Sequence, residues 1–203
     1  MNQDMPTSLL RLGLVADSHG RADVLKKAID ALRIRNVDCI VHLGDFCDSQ
    51  NHDHMAEIFS LLNENRVLTV KGNNDYLVEK MLLHGELPCK GDQQKQWLTF
   101  LQKVPIIRRF ESICCCHSMP WQSIRAFYEP VDTGGTGPAG CIFRQTRDLL
   151  IFCGHSHAPV MFRYRNGHVV REPANGRSAV KLNREERYII VVGAAENAEC
   201  AVF

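Results

Sequence analysis

Nine residues whose side chains can hold a cation or move a proton fall directly after apolar runs in this sequence. They are Asp17 and His19, Asp45 and Asp48, Asn73 and Asp75, His117, and His155 with His157. Brought to one place, they form a cluster of carboxylate, imidazole and carboxamide donors. Such a cluster is unfavourable without a cation, because carboxylates sharing a crevice repel one another and resist ionisation. A pair of divalent ions removes the repulsion. Mixed Asp/His/Asn donors suit manganese, which we place first, and iron, zinc, cobalt or nickel, better than calcium; no cysteine joins the set, which excludes a thiolate site. Two such ions roughly 3.5–4 Å apart can share a carboxylate and a hydroxide, the arrangement used for in-line displacement at phosphorus.

The elements that must position these residues can be read from periodicity. Residues 9–16 form an apolar run ending at Asp17, and residues 22–34 carry Val24, Leu25, Ala28, Ile29 and Leu32 at helical spacing. A second run over 39–43 ends at Gly44-Asp45, residues 53–64 read as a helix, and a third run over 67–70 stops at Lys71-Gly72-Asn73. Strand, helix, strand, helix, strand with short connections predicts a parallel α/β unit. Residues 92–102 predict a helix stopped by Pro105, and 106–110 with 113–116 a hairpin. Residues 118–147 read as an irregular segment, followed by strands over 149–153, 160–165, 169–172, 188–192 and 200–203. The chemistry-bearing groups therefore sit at the carboxyl ends of strands, the edge where α/β sheets bind ligands.

At 203 residues the chain suits one domain spanning 1–203. A net charge of +1 gives no electrostatic footprint for nucleic acid or an anionic membrane, so phosphate recognition has to be local. The amino terminus lacks a cationic lead and a cleavage site, and no stretch approaches ~20 uninterrupted apolar residues; neither a signal peptide nor a transmembrane helix is expected. The cysteines number nine, three of them adjacent at Cys114, Cys115 and Cys116 in one strand, where neighbours face opposite ways and cannot pair. They read as small buried residues of a cytoplasmic protein. Oligomeric state is left open.

Asp17-x-His19, Gly44-Asp45-x-x-Asp48, Gly72-Asn73-Asn74-Asp75, His117 and Gly154-His155-x-His157 stand in the order of the calcineurin-like metallophosphoesterase motifs, and the chain resembles the small bacterial and archaeal phosphodiesterase branch of that superfamily. Any one block is common by chance; five in order, each behind an apolar run, are specific. The resemblance implies a fold of two mixed β-sheets packed as a sandwich and flanked by helices. It also implies residue roles: Asp17, His19 and His157 for one metal, Asn73, His117 and His155 for the second, and Asp45 bridging both. Water held by two dications loses a proton more readily, its pKa falling from ~15.7 towards neutrality, and the resulting metal-bound hydroxide would attack phosphorus in line. Asp48 is expected to orient a ligand imidazole or its own loop.

The match departs at two places. Many relatives carry histidine after the metal-ligating asparagine, assigned to the leaving group or the phosphate; here Asn74 stands there, able to donate a hydrogen bond but not a proton at neutral pH. This favours a phosphodiester, or an activated monoester, as a small phosphate-ester substrate. The branch's NPGSVGQPRD-like segment is replaced by Val191-Val192-Gly193-Ala194-Ala195-Glu196-Asn197-Ala198. The rival readings are a phosphomonoesterase or phosphoprotein phosphatase and, since some relatives lose ligands, a non-catalytic metal-binding scaffold for a protein partner; all seven ligand positions are filled, which disfavours the scaffold.

Other polar residues have plain alternatives. Arg21 either clamps a phosphate or is an exposed cation at a helix start. His42 lies inside an apolar run and reads as a hydrogen-bonded core residue; His52 and His54 read as loop or helix start. Trp121, Arg125 and Tyr128 could meet a base but read better as loop packing. The glycine-rich stretch over 133–140 lacks the Walker signature, opens no clear helix, and is expected to be a mobile loop over the site.

Overall fold

The structure is a computed structural model that describes residues 11–89, 91–174 and 179–203. Its first sheet contains β1 (Leu12–Val15), β2 (Cys39–His42), β3 (Leu68–Thr69) and β10 (Ala201–Val202), in the order β10-β1-β2-β3. β1, β2 and β3 run parallel, with Leu12 opposite Cys39 and Val41 opposite Leu68, while β10 closes the edge antiparallel. The second sheet contains β4 (Ile107–Phe110), β5 (Ile113–Cys116), β6 (Leu150–Cys153), β7 (Val160–Arg165), β8 (His168–Pro173) and β9 (Arg187–Val191), in the order β4-β5-β6-β9-β7-β8. β5, β6 and β9 are its parallel centre.

The two-residue period of each strand divides the core into layers. Leu12, Leu14 and Ala16 join Val41, Leu43, Val70, Cys115, Phe152 and Val192 between the sheets. Val15, one step out of phase, faces α1 (Ala22–Ile34) and α2 (Met55–Glu64), packed with Leu25, Ile29, Ile58 and Leu62. α3 (Asn73–His84) and α4 (Asp92–Lys103) complete that helical layer through Val78, Leu82 and Leu101. On the far face of the second sheet, Cys114, Cys116, Ile151 and Cys153 pack against Ala139, Ile142 and Phe143 of α5 (Gly137–Gln145). The arrangement is helix, sheet, sheet, helix, as expected. The three adjacent cysteines alternate faces as their strand requires, and all nine thiols are free. Among the described residues no helix is long and apolar enough to cross a membrane.

The structure corrects two expectations and adds one helix. The segment over 118–147 is not irregular throughout: Ile124–Phe127 form a 3-10 turn and Gly137–Gln145 form α5. The glycine-rich stretch therefore opens a helix, with Pro138 in its first turn where a missing N–H costs nothing. That helix is core against the second sheet rather than a loop over the site, and Asp132 just before the stretch is paired with Arg171. α3 was also unforeseen, because its sequence NNDYLVEKMLLH begins with polar residues and has weak amphipathicity. The predicted strand over 9–16 lies partly outside the described residues.

Candidate metal centre

The turns after β1, β2 and β3 are sewn together by their backbones. The Asp17 amide donates to the Gly44 carbonyl at 3.1 Å and the His19 amide to the Asp45 carbonyl at 3.0 Å. The turns of the second sheet join them across the sandwich. The Gly154 amide donates to the His117 carbonyl, and the Ala195 amide to the Ala16 carbonyl. The His155 amide donates to Asp17 Oδ2 at 2.9 Å. One edge of both sheets thus gathers all seven sequence-predicted ligands.

Backbone strain concentrates there. Asp17, His19, Asp45, His155 and His157 all have φ between 41° and 67°, a left-handed region that side-chain-bearing residues rarely occupy and that persists where surrounding contacts over-determine it. Two glycines allow the close approach this geometry requires. A Cβ on Gly72 would strike the Asp45 carboxylate, and one on Gly154 would lie 2.5 Å from Asp17 Oδ2.

The donor atoms form two adjoining groups. His19 Nε2 and His157 Nε2 lie 3.0 Å apart, and Asp17 Oδ1 is 4.0 Å from the first and 3.6 Å from the second. In the second group His117 Nε2 lies 3.0 Å from Asn73 Oδ1, 3.2 Å from His155 Nδ1 and 3.6 Å from Asp45 Oδ2. Asp17, Asp45 and His117 are all buried, and their nearest donor atoms lie within 4.8 Å of one another, so the groups adjoin. The His117 Nδ1–H donates to the Leu43 carbonyl at 3.0 Å, which turns Nε2 towards the other donor atoms of the cluster.

These residues fit a cation. Asp17 Oδ1 is buried with no hydrogen-bond partner, an arrangement that is costly unless a positive group meets it. Burial opposes charge on His117, yet the Asp45 and Asp17 carboxylates raise its pKa above the ordinary histidine value. Burial also acts on Asp17, but contacts with His157 and His117 hold it below the usual carboxylate range. Asp17 therefore keeps its negative charge in the crevice, and the oxygen and imidazole donor set suits a borderline divalent metal.

The remaining predicted residues fall around this cluster. Asn74 turns inward: its amide donates to Asp45 Oδ1 at 2.8 Å and its Nδ2 to Asp45 Oδ2 at 2.7 Å, while Ser49 Oγ–H donates to Asn74 Oδ1. Asp48 caps the Gln50 amide through Oδ1 and packs on the Gly20 turn, so it orients the loop and not an imidazole. Arg21 precedes α1, exposed, with Nε 3.9 Å from Asp23.

Three side chains of the centre received no individual role from the sequence, although Asp75 was counted among the strand-end donors. Asp75 is fully buried and accepts from the amides of Asp45, Cys47 and Gly72 at 2.8, 2.9 and 2.9 Å, tying the β2 and β3 turns together. Its place three residues after Gly72 has the spacing of a capping box, which is the signal that could have found it. Glu196 Oε1 lies 2.9 Å from His157 Nδ1, with no spacing to announce it. Ser18 Oγ lies 3.1 Å from His42 Nε2 in the core behind Asp17.

His42 makes a pH prediction. Its burial, only partly offset by Asp17, lowers its pKa from the ordinary 6.5 to about 3. The unfolded chain takes up a proton below pH 6.5 that the folded chain refuses, so stability is full above 6.5 and falls as pH drops towards 3. The slope from this one group is about 1.4 kcal/mol per pH unit. Denaturant unfolding of metal-free protein at pH 7.5 and 5.0 should show a smaller loss for His42→Asn than for the wild type; equal losses would contradict the assignment.

A sandwich of two mixed sheets with its polar cluster at the strand ends is the architecture of a metallophosphoesterase. A profile of the calcineurin-like phosphoesterase superfamily domain matches residues 10–192. The chain belongs to that superfamily, a class of metal-dependent phosphoric ester hydrolases. A metallophosphoesterase from Sphaerobacter thermophilus superposes with a TM-score of 0.69 at 22% identity, over 92% of this chain and 76% of that one. A hypothetical protein from Pyrococcus horikoshii superposes with a TM-score of 0.63 at 12% identity, over 96% and 87%. At those identities the likeness is one of fold. A phosphodiesterase of Methanocaldococcus jannaschii is 31% identical over 104 residues, 51% of this chain and 52% of that protein. The chain thus aligns with about half the length of that relative.

Proposed function

We propose that this chain hydrolyses a small phosphate ester, a phosphodiester in preference to a monoester, with two divalent ions held by Asp17, His19 and His157 on one side, Asn73, His117 and His155 on the other, and Asp45 between. The observation that carries this reading is the adjoining of two groups of oxygen and nitrogen donors, with Asp17 Oδ1 buried and without a hydrogen-bond partner where they meet. Manganese is our first choice for both positions. When bound, such a pair neutralises charge on a phosphate ester and acidifies water for attack at phosphorus. The protein's own part is to hold the carboxylate of Asp17 ionised, to aim His117 Nε2 into the cluster through the bond from its Nδ1, and to keep the turns rigid. Asn74 can donate to a phosphate oxygen but holds no proton for a leaving group, which suits a diester with a good leaving group over a monoester. Arg21, two residues from His19, is our candidate contact for an outer phosphate oxygen. The phosphodiesterase relative in Methanocaldococcus jannaschii supports the same preference. Nine free thiols support a reducing, cytoplasmic setting for a one-domain protein.

Metal uptake and one substitution test the reading. Chelator-stripped protein should bind two equivalents of manganese per chain. Asn74→His, which introduces an acid at the leaving-group position, should raise monoester turnover relative to diester turnover, by up to roughly 10²-fold if the imidazole reaches the leaving oxygen. An unchanged ratio in a protein that still binds two metals would remove the leaving-group argument.

A further inference from the structure

We propose that Glu196 is a positioning residue for His157, and that it tunes the affinity of the metal position shared with Asp17 and His19. The inference rests on the dinuclear reading above. His157 presents two nitrogens to two different neighbours: Nε2 faces the cluster, 3.0 Å from His19 Nε2, and Nδ1 faces Glu196 Oε1 at 2.9 Å. A carboxylate 2.9 Å from Nδ1 favours the proton on that nitrogen. The cluster-facing Nε2 then keeps its lone pair, and the ring is held in its plane and made more basic.

The geometry is built into the backbone on both sides of Glu196. Ala195–Asn197 form a 3-10 turn closed by Ala198 in the left-handed conformation, with φ at 61°. The Ala195 amide donates to the Ala16 carbonyl at 2.8 Å, and the Glu196 amide points to the carbonyl of Asp17 itself at 3.4 Å. Asn197 Nδ2 donates to the His157 carbonyl at 3.3 Å. The turn therefore grips the backbone of one proposed ligand and both the backbone and the ring of another. Glu199 anchors the turn from its far end, accepting from the Ala194 amide at 3.1 Å. An ordinary surface ion pair between mobile side chains has no such scaffold.

The consequence is an asymmetry between the two metal positions. Removing the outer carboxylate partner of a ligating histidine typically lowers metal affinity by roughly 10–100-fold. Glu196→Ala should therefore weaken one manganese-binding step of the full chain by that factor and leave the other near its wild-type value. Glu196→Gln keeps an oxygen acceptor for the Nδ1 proton and should restore most of the loss. Calorimetric titration of chelator-stripped wild type, Glu196→Ala and Glu196→Gln with manganese chloride reads both steps, and thermal melting of the same samples reports the fold. A selective loss in Ala with recovery in Gln, at matched melting temperatures, supports the proposal. Two unchanged steps in Glu196→Ala overturn it and leave the dinuclear reading standing. Equal weakening of both steps with a lowered melting temperature overturns it in favour of a merely structural turn. A wild type that binds no manganese overturns the dinuclear reading and this proposal with it.

Discussion

Replacing Asp45 with Asn is expected to lose metal and turnover together while the fold survives. The substitution preserves size, and the backbone of residue 45 is fixed independently of its side chain: its amide donates to Asp75 and its carbonyl accepts from His19. What changes is the carboxylate, which is almost fully buried and sits 3.6 Å from His117 Nε2. Both of its oxygens also accept from Asn74, at 2.8 and 2.7 Å. An amide in its place offers one acceptor where two are used and turns an NH₂ group towards another donor. Breaking one member of a buried charged network costs about 3–5 kcal/mol. Expressed as binding or rate, that is about 10²–10⁴-fold. Circular dichroism should be unchanged while manganese uptake and phosphoester hydrolysis both fall. Hydrolysis that survives at wild-type rate in Asp45→Asn would show that Asp45 bridges nothing.

The second large effect is on the fold at Asp75. This side chain has no exposure and satisfies three backbone amides from two different turns. Burial first, and then the neighbouring Asp45 carboxylate, push its pKa up to about 7, so its position is held against an electrostatic penalty by those three donors. Asp75→Ala leaves the donors buried and unpaired, each costing about 1–3 kcal/mol, and opens a void. The sum approaches the whole stability of a typical domain, about 5–15 kcal/mol. Asp75→Ala should therefore melt far below the wild type and bind no manganese at 25 °C. Asp75→Asn should fall between, because it fills the space but aims an NH₂ group at an amide donor. An alanine variant that melts with the wild type would mean that the β2 and β3 turns are held by other contacts.

Most of the cluster was legible because its donor side chains are read from residue type and from position at strand ends. Asp17, Asp45, Asn73, His117 and His155 each follow an apolar run, and parallel strands bring such positions to one edge whatever the helices between them do. The cysteines were legible for the same reason: strand alternation alone puts Cys115 between the sheets and Cys114 and Cys116 outside. What was not legible depends on tertiary contact. α3 starts in the turn that brings Asn73 and Asp75 to the cluster, so its polar first residues hide the helical pattern. α5 was masked by glycines, whose poor helix propensity is overridden once Ala139, Ile142 and Phe143 pack on the second sheet. Glu196 meets His157 across 39 positions of chain, from a loop in another turn, and no local spacing encodes that. The bonds of the Asn74 side chain to Asp45 and Ser49 likewise cross from one turn to another, beyond the reach of local spacing.

Hydrolysis of bis-p-nitrophenyl phosphate and p-nitrophenyl phosphate by chelator-stripped protein, with each candidate divalent metal restored in turn, tests the central claim most directly. The account predicts no turnover without metal, recovery with manganese, and faster turnover of the diester. Stoichiometric metal binding with no turnover of either ester under any metal would contradict it and leave a metal-binding scaffold in its place.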